Sequence, residues 1–146
     1  MDKKTTQLMF SSKSNMWSTP QKLFDKLDDE FNFTIDVCCT DDNAKCINYY
    51  TEKDDGLKCE WKGNVWCNPP YSDIKSWVIK ADQEIQKSYC NKIVMLVPSR
   101  TDTAWWHDYV VYQSVRFIRG RLKFGEHKNS APFPSAIIIF NKQGEQ

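Results

Sequence analysis

Within four residues, Asn68-Pro69-Pro70-Tyr71 sets out a side-chain amide, two proline carbonyls and an aromatic ring. The stretch before it, Asn64-Val65-Trp66-Cys67, reads as a short buried strand. The two prolines stop that strand, because neither donates a backbone hydrogen bond and each fixes its own φ. The proline that follows also holds Asn68 extended. Asn68 is therefore expected on a stiff turn at a strand's C-terminal end.

That set suits an amino group on a conjugated ring, such as N6 of adenine. The lone pair of such a nitrogen is delocalised, so it is a poor nucleophile. Two acceptors on its two N–H bonds hold it in place and favour a tetrahedral nitrogen, whose lone pair then points at an electrophilic methyl group. The Asn68 side-chain oxygen and the Pro69 carbonyl can be those acceptors, and the Tyr71 ring can stack on the base. No strong base is needed, because the nitrogen becomes acidic once methylated. Catalysis is then mostly positioning and electrostatics. Taken alone, these four residues also make an ordinary turn. Their context favours the chemical reading: an apolar strand precedes them, and Ile74, Trp77, Val78, Ala81 and Ile85 mark an amphipathic helix after them.

On these residues the chain resembles the amino-methyltransferases that use S-adenosylmethionine, whose catalytic motif is Asp/Asn/Ser-Pro-Pro-Tyr/Phe/Trp. More narrowly, it resembles the small phage-type DNA N6-adenine methyltransferases of the Dam family, over residues 16 to 140. The resemblance implies S-adenosylmethionine as cofactor and DNA as partner. It also implies a target adenine flipped out of the stack to reach Asn68, and modification of phage DNA as the setting. Related turns methylate cytosine N4, RNA adenine or a protein glutamine, with Ser usual at the first position for cytosine N4. Outside enzymes, the alternative is an inactive nucleic-acid-binding or host-interaction module.

The remaining elements are read by what they place near this turn. Met16-Trp17-Ser18-Thr19-Pro20 precedes Leu23, Phe24, Leu27 and Phe31, whose spacing fits one helix face. Thr19 is expected as the N-cap and Pro20 at the first helical position. The resemblance adds that Trp17, Thr19 and Pro20 match a segment contacting the methionine portion of the cofactor. Phe33–Cys38 reads as the first core strand, with Asp36 near its end. A buried carboxylate is costly unless paired. Two readings are open for Asp36: it caps the following turn, or it faces the cofactor's cationic groups. Asn43-Ala44-Lys45 also fits the family pattern, and the resemblance places Cys38 at the cofactor.

After the first strand most such enzymes carry a glycine-rich turn that lets backbone approach the cofactor. Here Val37-Cys38-Cys39-Thr40 stands instead, and no glycine occurs before Gly56. Ile47–Thr51 reads as a short second strand. In Asp54-Asp55-Gly56-Leu57, Asp55 is either part of a solvated Asp-Gly turn or, by the resemblance, the acceptor for the cofactor's adenine amino group. No acid for the ribose hydroxyls stands out. The helix after the catalytic turn is expected to end at Asn91. Ile93–Val97 is a continuous apolar run, as in a central strand covered on both faces. It ends at Pro98-Ser99-Arg100-Thr101-Asp102, and open α/β sheets bind ligands at that edge. A further helix carries Trp105, Trp106, Tyr109 and Val110.

Val115–Arg119 and Ser135–Phe140 read as two strands joined without a helix, hence antiparallel. The fold class expected is α/β: a Rossmann-like methyltransferase sheet, mostly parallel, closed by a C-terminal antiparallel hairpin, with helices on both faces. Basic residues gather in that hairpin: Arg116, Arg119, Arg121, Lys123 and Lys128, opposed by Glu126, with Arg100 near. They are either DNA-phosphate contacts or a solvated face.

The chain has 146 residues and a formal net charge of +1, so any nucleic-acid surface must come from local clustering. It reads as a loose arm at 1–15 and one domain at 16–146. No signal peptide or long apolar run is seen, so a soluble cytoplasmic protein with no membrane association is expected, in a bacterial host if phage-encoded. The six cysteines have no C-x-x-C spacing and only two histidines accompany them. They are read as reduced core thiols rather than metal ligands.

Overall fold

A computed structural model describes residues 18–124 and 130–143. The arm at 1–15, Trp17, Glu126 and Lys128 lie outside the described residues. The element order is helix α1 (Gln21–Phe31), strand β1 (Ile35–Asp36), strand β2 (Gly63–Cys67), helix α2 (Ile74–Glu84), strand β3 (Cys90–Pro98), helix α3 (Ala104–Asp108), strand β4 (Ser114–Phe117) and strand β5 (Ser135–Phe140). The five strands lie in the order β1-β2-β3-β5-β4. The β1–β2 and β2–β3 pairs are parallel, while β5 runs antiparallel to both β3 and β4.

Strand alternation sorts the core into two faces. Val65, Cys67, Ile93, Met95, Val97 and Ile138 face one way, packed with Trp77, Val78 and Ala81 of α2 and Trp105 and Trp106 of α3. Trp66, Val94, Leu96, Ile137 and Ile139 face the other way, packed with Phe24 and Leu27 of α1 and with Phe124 and Ala131. Ile93–Pro98 of β3 and Ala136–Phe140 of β5 are buried on both faces, which is why each stretch reads as an apolar run.

Four elements differ from the sequence expectation. The first strand is confined to Ile35–Asp36 instead of running from Phe33 to Cys38. Ile47–Thr51 forms no strand; one bridge, Asp36 to Tyr49, extends the sheet there. α2 ends at Glu84 rather than at Asn91, which belongs to β3. The buried Glu84 carboxylate accepts from the Trp61 backbone N–H at 2.8 Å and from the Tyr89 hydroxyl at 2.9 Å. It thereby ties the chain before β2 to the turn that ends the helix. Thr19 does not cap α1: the cap position is Pro20, without a side-chain bond, and the Thr19 hydroxyl instead accepts from Asn68, just after β2.

Segment 37–62 joins two parallel neighbours without an α-helix, and its course is fixed by close packing. A Cβ on Gly56 would lie 2.3 Å from the Val37 carbonyl oxygen and 2.9 Å from the Trp77 ring. The Trp61 indole N–H donates to the Gly56 carbonyl at 2.8 Å, and Trp61 stacks on Trp77 at 6.0 Å. Gly56→Ala should therefore destabilise the protein by about 1–3 kcal/mol through overpacking, read as a lower urea midpoint at unchanged slope.

Candidate active site

The C-terminal ends of the parallel strands share one edge of the sheet. Asp36 ends β1, and Asn68 follows β2. Asp36 pairs with Trp66, two residues before Asn68. Pro98 ends β3, and Ser99 and Arg100 follow it. The N-terminus of α1 reaches the same edge, where the Asn68 Nδ2–H donates to Thr19 Oγ1 at 3.1 Å. Pro69 is buried, Asn68, Pro70 and Tyr71 are half-buried, and a 3₁₀ turn, Tyr71–Asp73, leads into α2.

Asp36 is 2% exposed. Its Oδ1 accepts from the Cys38 N–H at 3.2 Å and its Oδ2 from the Lys45 N–H at 3.0 Å. The carboxylate therefore does cap the turn after β1, and it also folds segment 38–45 back over itself. Asn43 holds that segment: its Oδ1 accepts from the Thr40 N–H at 2.7 Å, and its Nδ2–H donates to Ser18 Oγ at 3.2 Å. The Lys45 ammonium donates to Gln21 Oε1 at 2.7 Å. Burial pushes the Asp36 carboxyl up to about 6, against the hydrogen bonds from Lys45 and Cys38 that pull it down.

Two cavities meet here. A small one of about 10 Å³, room for one water-sized group, is lined by Thr19, Asp36, Asn43, Lys45 and Asn68 among others. A cleft of about 670 Å³ is lined by residues including Thr51, Asp55, Gly56, Pro70 and Trp77. Cys38 and Cys39 line both. The Asn-Pro-Pro turn touches both as well, with Asn68 on the small cavity and Pro70 on the cleft. Asp55 has a left-handed backbone, φ 57°. Its Oδ1 accepts from the Leu57 N–H at 3.2 Å, which is the Asp-Gly turn of the sequence reading, placed at the wall of the cleft. Pro20 begins α1 through its carbonyl, which accepts from the Phe24 N–H at 3.1 Å.

Tyr71 is held edge-on by Phe133 at 5.1 Å and by Phe124 at 6.3 Å. Burial raises its phenol, and the nearby Arg100 charge partly opposes that rise, which sets Arg100 beside the turn. Arg119, Arg121 and Lys123 are exposed after β4. The Ile118 N–H donates to the Ser135 carbonyl and the Ser99 N–H to the Pro134 carbonyl, so both segments emerge at the Asn68 edge. Arg116, read from sequence as either a phosphate contact or part of a solvated face, is paired within the fold. Its guanidinium makes a bidentate pair with Glu30 at 2.7 and 2.6 Å and lies 5.5 Å over the Phe31 ring. Glu30, remote in sequence, is the acid paired with this arginine among the described residues.

Sequence reasoning passed over Ser18, Thr51 and Trp77 as cavity residues. Trp77 carries the signal of a core helix position, which it also is. All six cysteines are free thiols; burial pushes Cys46 up to about 12 and Cys90 to about 11. Among the described residues no cluster suited to a metal ion occurs, and no helix is long and apolar enough to cross a membrane.

An open sheet of this order, with its cavities at the C-terminal strand ends, has the Rossmann-like methyltransferase fold. The crystal structure of the 23S rRNA methyltransferase ErmE superposes with a TM-score of 0.56 at 10% identity, over 89% of this chain and 71% of that one. The family follows from sequence: the model described as DNA N-6-adenine-methyltransferase (Dam) matches residues 6–145, and the chain belongs to that family. A DNA N-6-adenine-methyltransferase of Haemophilus phage HP1 is 27% identical, over 88% of this chain and 80% of the relative. One of Escherichia phage T1 is 33% identical over 63% of this chain, and that match spans 39% of the phage T1 protein's length.

The Asp36 carboxyl gives a test of this electrostatic picture. The unfolded chain loses that proton near 3.8 and the folded one near 6, so between these values the folded state binds more protons. Stability of the ligand-free protein should fall as pH rises through that window, by about 3 kcal/mol in all. In Asp36→Ala this part of the slope should vanish, whatever its offset, in urea titrations at pH 4, 5, 6 and 7.

Proposed function

We propose that this chain transfers a methyl group from S-adenosylmethionine to the N6 amino group of adenine in DNA. The observation that carries the reading is that the Asn68-Pro69-Pro70 turn has a cavity at each end, the small one at Asn68 and the cleft at Pro70. The small one, with room for one water-sized group, offers a buried carboxylate, two hydroxyls and two amides with Lys45 beside them, which suits the ammonium of the cofactor's amino-acid end. The cleft, with Asp55 and the Trp77 ring on its walls, suits a nucleoside. Asp36, Thr19, Cys38 and Asp55 would hold the cofactor, with Trp17 and Pro20 assigned to it by the family pattern.

The bound cofactor supplies an electrophilic methyl group on a sulfonium. Asn68 Oδ1 and the Pro69 carbonyl accept from the two N–H bonds of the adenine amino group and hold it pyramidal, and Pro70 stiffens the turn. Tyr71, neutral and fixed by two phenylalanines, offers its ring to the flipped base. Transfer exchanges an S–C bond for an N–C bond and releases one amino proton to solvent. Acceptors as weak as an amide and a carbonyl suffice, because the nitrogen turns acidic as the bond forms. Arg100, Arg119, Arg121 and Lys123 form the phosphate-facing rim. Arg116 is assigned to the fold through Glu30.

Single-turnover methylation of duplex DNA with labelled cofactor, followed by nucleoside separation, tests the reading, and N6-methyladenine is the expected product. Asn68→Ala removes one preorganised group and should slow transfer by about 100- to 1,000-fold, with cofactor and DNA affinities near wild type. Label in cytosine, or wild-type turnover in Asn68→Ala, would sink it.

The rim is tested separately. Arg119→Ala with Arg121→Ala should reduce the slope of log affinity for DNA against log salt by about 2, leaving cofactor affinity unchanged. Arg116→Ala should leave that slope as it is and lower the urea midpoint only slightly, as loss of an exposed ion pair does.

A further inference from the structure

We propose that Phe117 is a stacking platform for an unpaired base of the substrate strand, so that it adds affinity for opened DNA and none for closed duplex; this rests on DNA as the partner in the function proposed above. Four large hydrophobic residues are exposed among the described residues: Ile47, Val111, Tyr112 and Phe117. Two of them carry rings. Tyr112 precedes β4, at the end of the strand away from Asn68. Phe117 closes β4 at the Asn68 end. It pairs with Ala136, which also pairs with Val97, one residue before the end of β3. Three strand spacings separate β4 from β2, so Phe117 stands about 14 Å from the catalytic turn. That is close to the ~12 Å width of a DNA major groove.

A singly exposed apolar residue is ordinary; what sets Phe117 apart is its backing and its neighbours. Its ring stacks on Trp106 of α3, with centroids 6.2 Å and planes 25° apart. Trp106 is buried and packs in turn on Trp105 at 5.7 Å. One face of the Phe117 ring is therefore held while the residue stays 67% exposed. A ring backed in this way does not slide between two stacked base pairs, since both of its faces would have to be bare. It can end a stack: Trp106, Phe117 and then one base. Inside closed duplex the faces of every base are covered by its neighbours, so the base that fits is an unpaired one. Arg119 and Arg121 follow directly, exposed, around Gly120 with its left-handed backbone at φ 78°. Neither is in an ion pair among the described residues, whereas Arg116 is held by Glu30. Cations beside an open aromatic face are the combination that holds single strands with little regard to sequence.

The test is binding of a fluorescein-labelled single strand carrying one adenine, and of the closed duplex of the same sequence, to wild type, Phe117→Leu and Phe117→Tyr, read by fluorescence anisotropy. Leucine keeps apolar cover on Trp106 and removes the aromatic face; tyrosine keeps the ring. Far-UV circular dichroism establishes that each variant is folded. On the single strand Phe117→Leu should bind at least about 5-fold more weakly, the low end of what one base–aromatic stack contributes. Phe117→Tyr should stay within about 2-fold of wild type there, and both variants within about 2-fold on the closed duplex. With 2-aminopurine moved along the single strand, one position near the adenine should be quenched by wild type and Phe117→Tyr but not by Phe117→Leu. Unchanged single-strand binding in Phe117→Leu, or the same loss on single strand and duplex, overturns the inference. So does a wild-type dimer that Phe117→Leu turns monomeric in sedimentation with single-strand binding intact, since the ring then serves a second copy. None of these readouts needs methyl transfer. A wild-type protein that stacks the base but methylates no adenine therefore overturns the proposed function and leaves this inference standing.

Discussion

A carboxylate held out of water governs the construction of this sheet edge. Asp36 sits at the end of β1 with each oxygen on a backbone N–H, one from Cys38 and one from Lys45. Those two bonds reverse the chain after β1 and close it over the acid. The covered acid then needs either a proton or a cation, since desolvation of a lone charge is costly. The ammonium of the proposed cofactor would be such a cation, in the small cavity beside it. Stability and that binding would then pull on the same group in opposite senses: burial in the empty fold raises the acid's affinity for a proton, and a cationic ligand would favour the ionised form.

Around that acid, rigidity comes from aromatic and polar staples rather than from regular secondary structure. Segment 37–62 has one 3₁₀ turn, Gly56–Lys58, yet it walls a large cleft. It holds its course because Trp61 is fully buried, bonds to Gly56 through its indole, and rests on Glu84 through its backbone. On the opposite side of the turn, Phe124 and Phe133 grip Tyr71 edge-on. The face of the ring is the part with which a base stacks.

The sequence signals that held were those set by neighbours along the chain. Val65–Cys67, Ile93–Val97 and Ser135–Phe140 are apolar because both faces of the sheet are covered, and the prolines at 69 and 70 stop β2 whatever lies around them. The signals that failed were decided by remote residues. Thr19 has the composition of a helix cap, but Asn68, 49 positions away, takes its hydroxyl. Arg116 belongs to a basic run, but Glu30, 86 positions away, takes its charge. Ile47–Thr51 has strand-like composition, but it lies beside the two-residue β1, where a single bridge forms.

The missing glycine-rich turn has a physical answer at the same sheet edge. A close approach of backbone to backbone at the end of β1 is present, but the glycine that permits it comes from the other side. Gly56 lies so near the Val37 carbonyl that any side chain there would collide with it. The residues that replace the glycines, Cys38 and Cys39, are small, and both line the two cavities. Their thiols are pushed well above the ordinary range by burial and by Asp36, so they stay neutral beside the carboxylate and add no second negative charge to it. Small neutral walls and one glycine brought from segment 37–62 leave the room that a glycine run would have left. Asp36 is thereby the single acid among the residues lining the small cavity, and Lys45 is the single base.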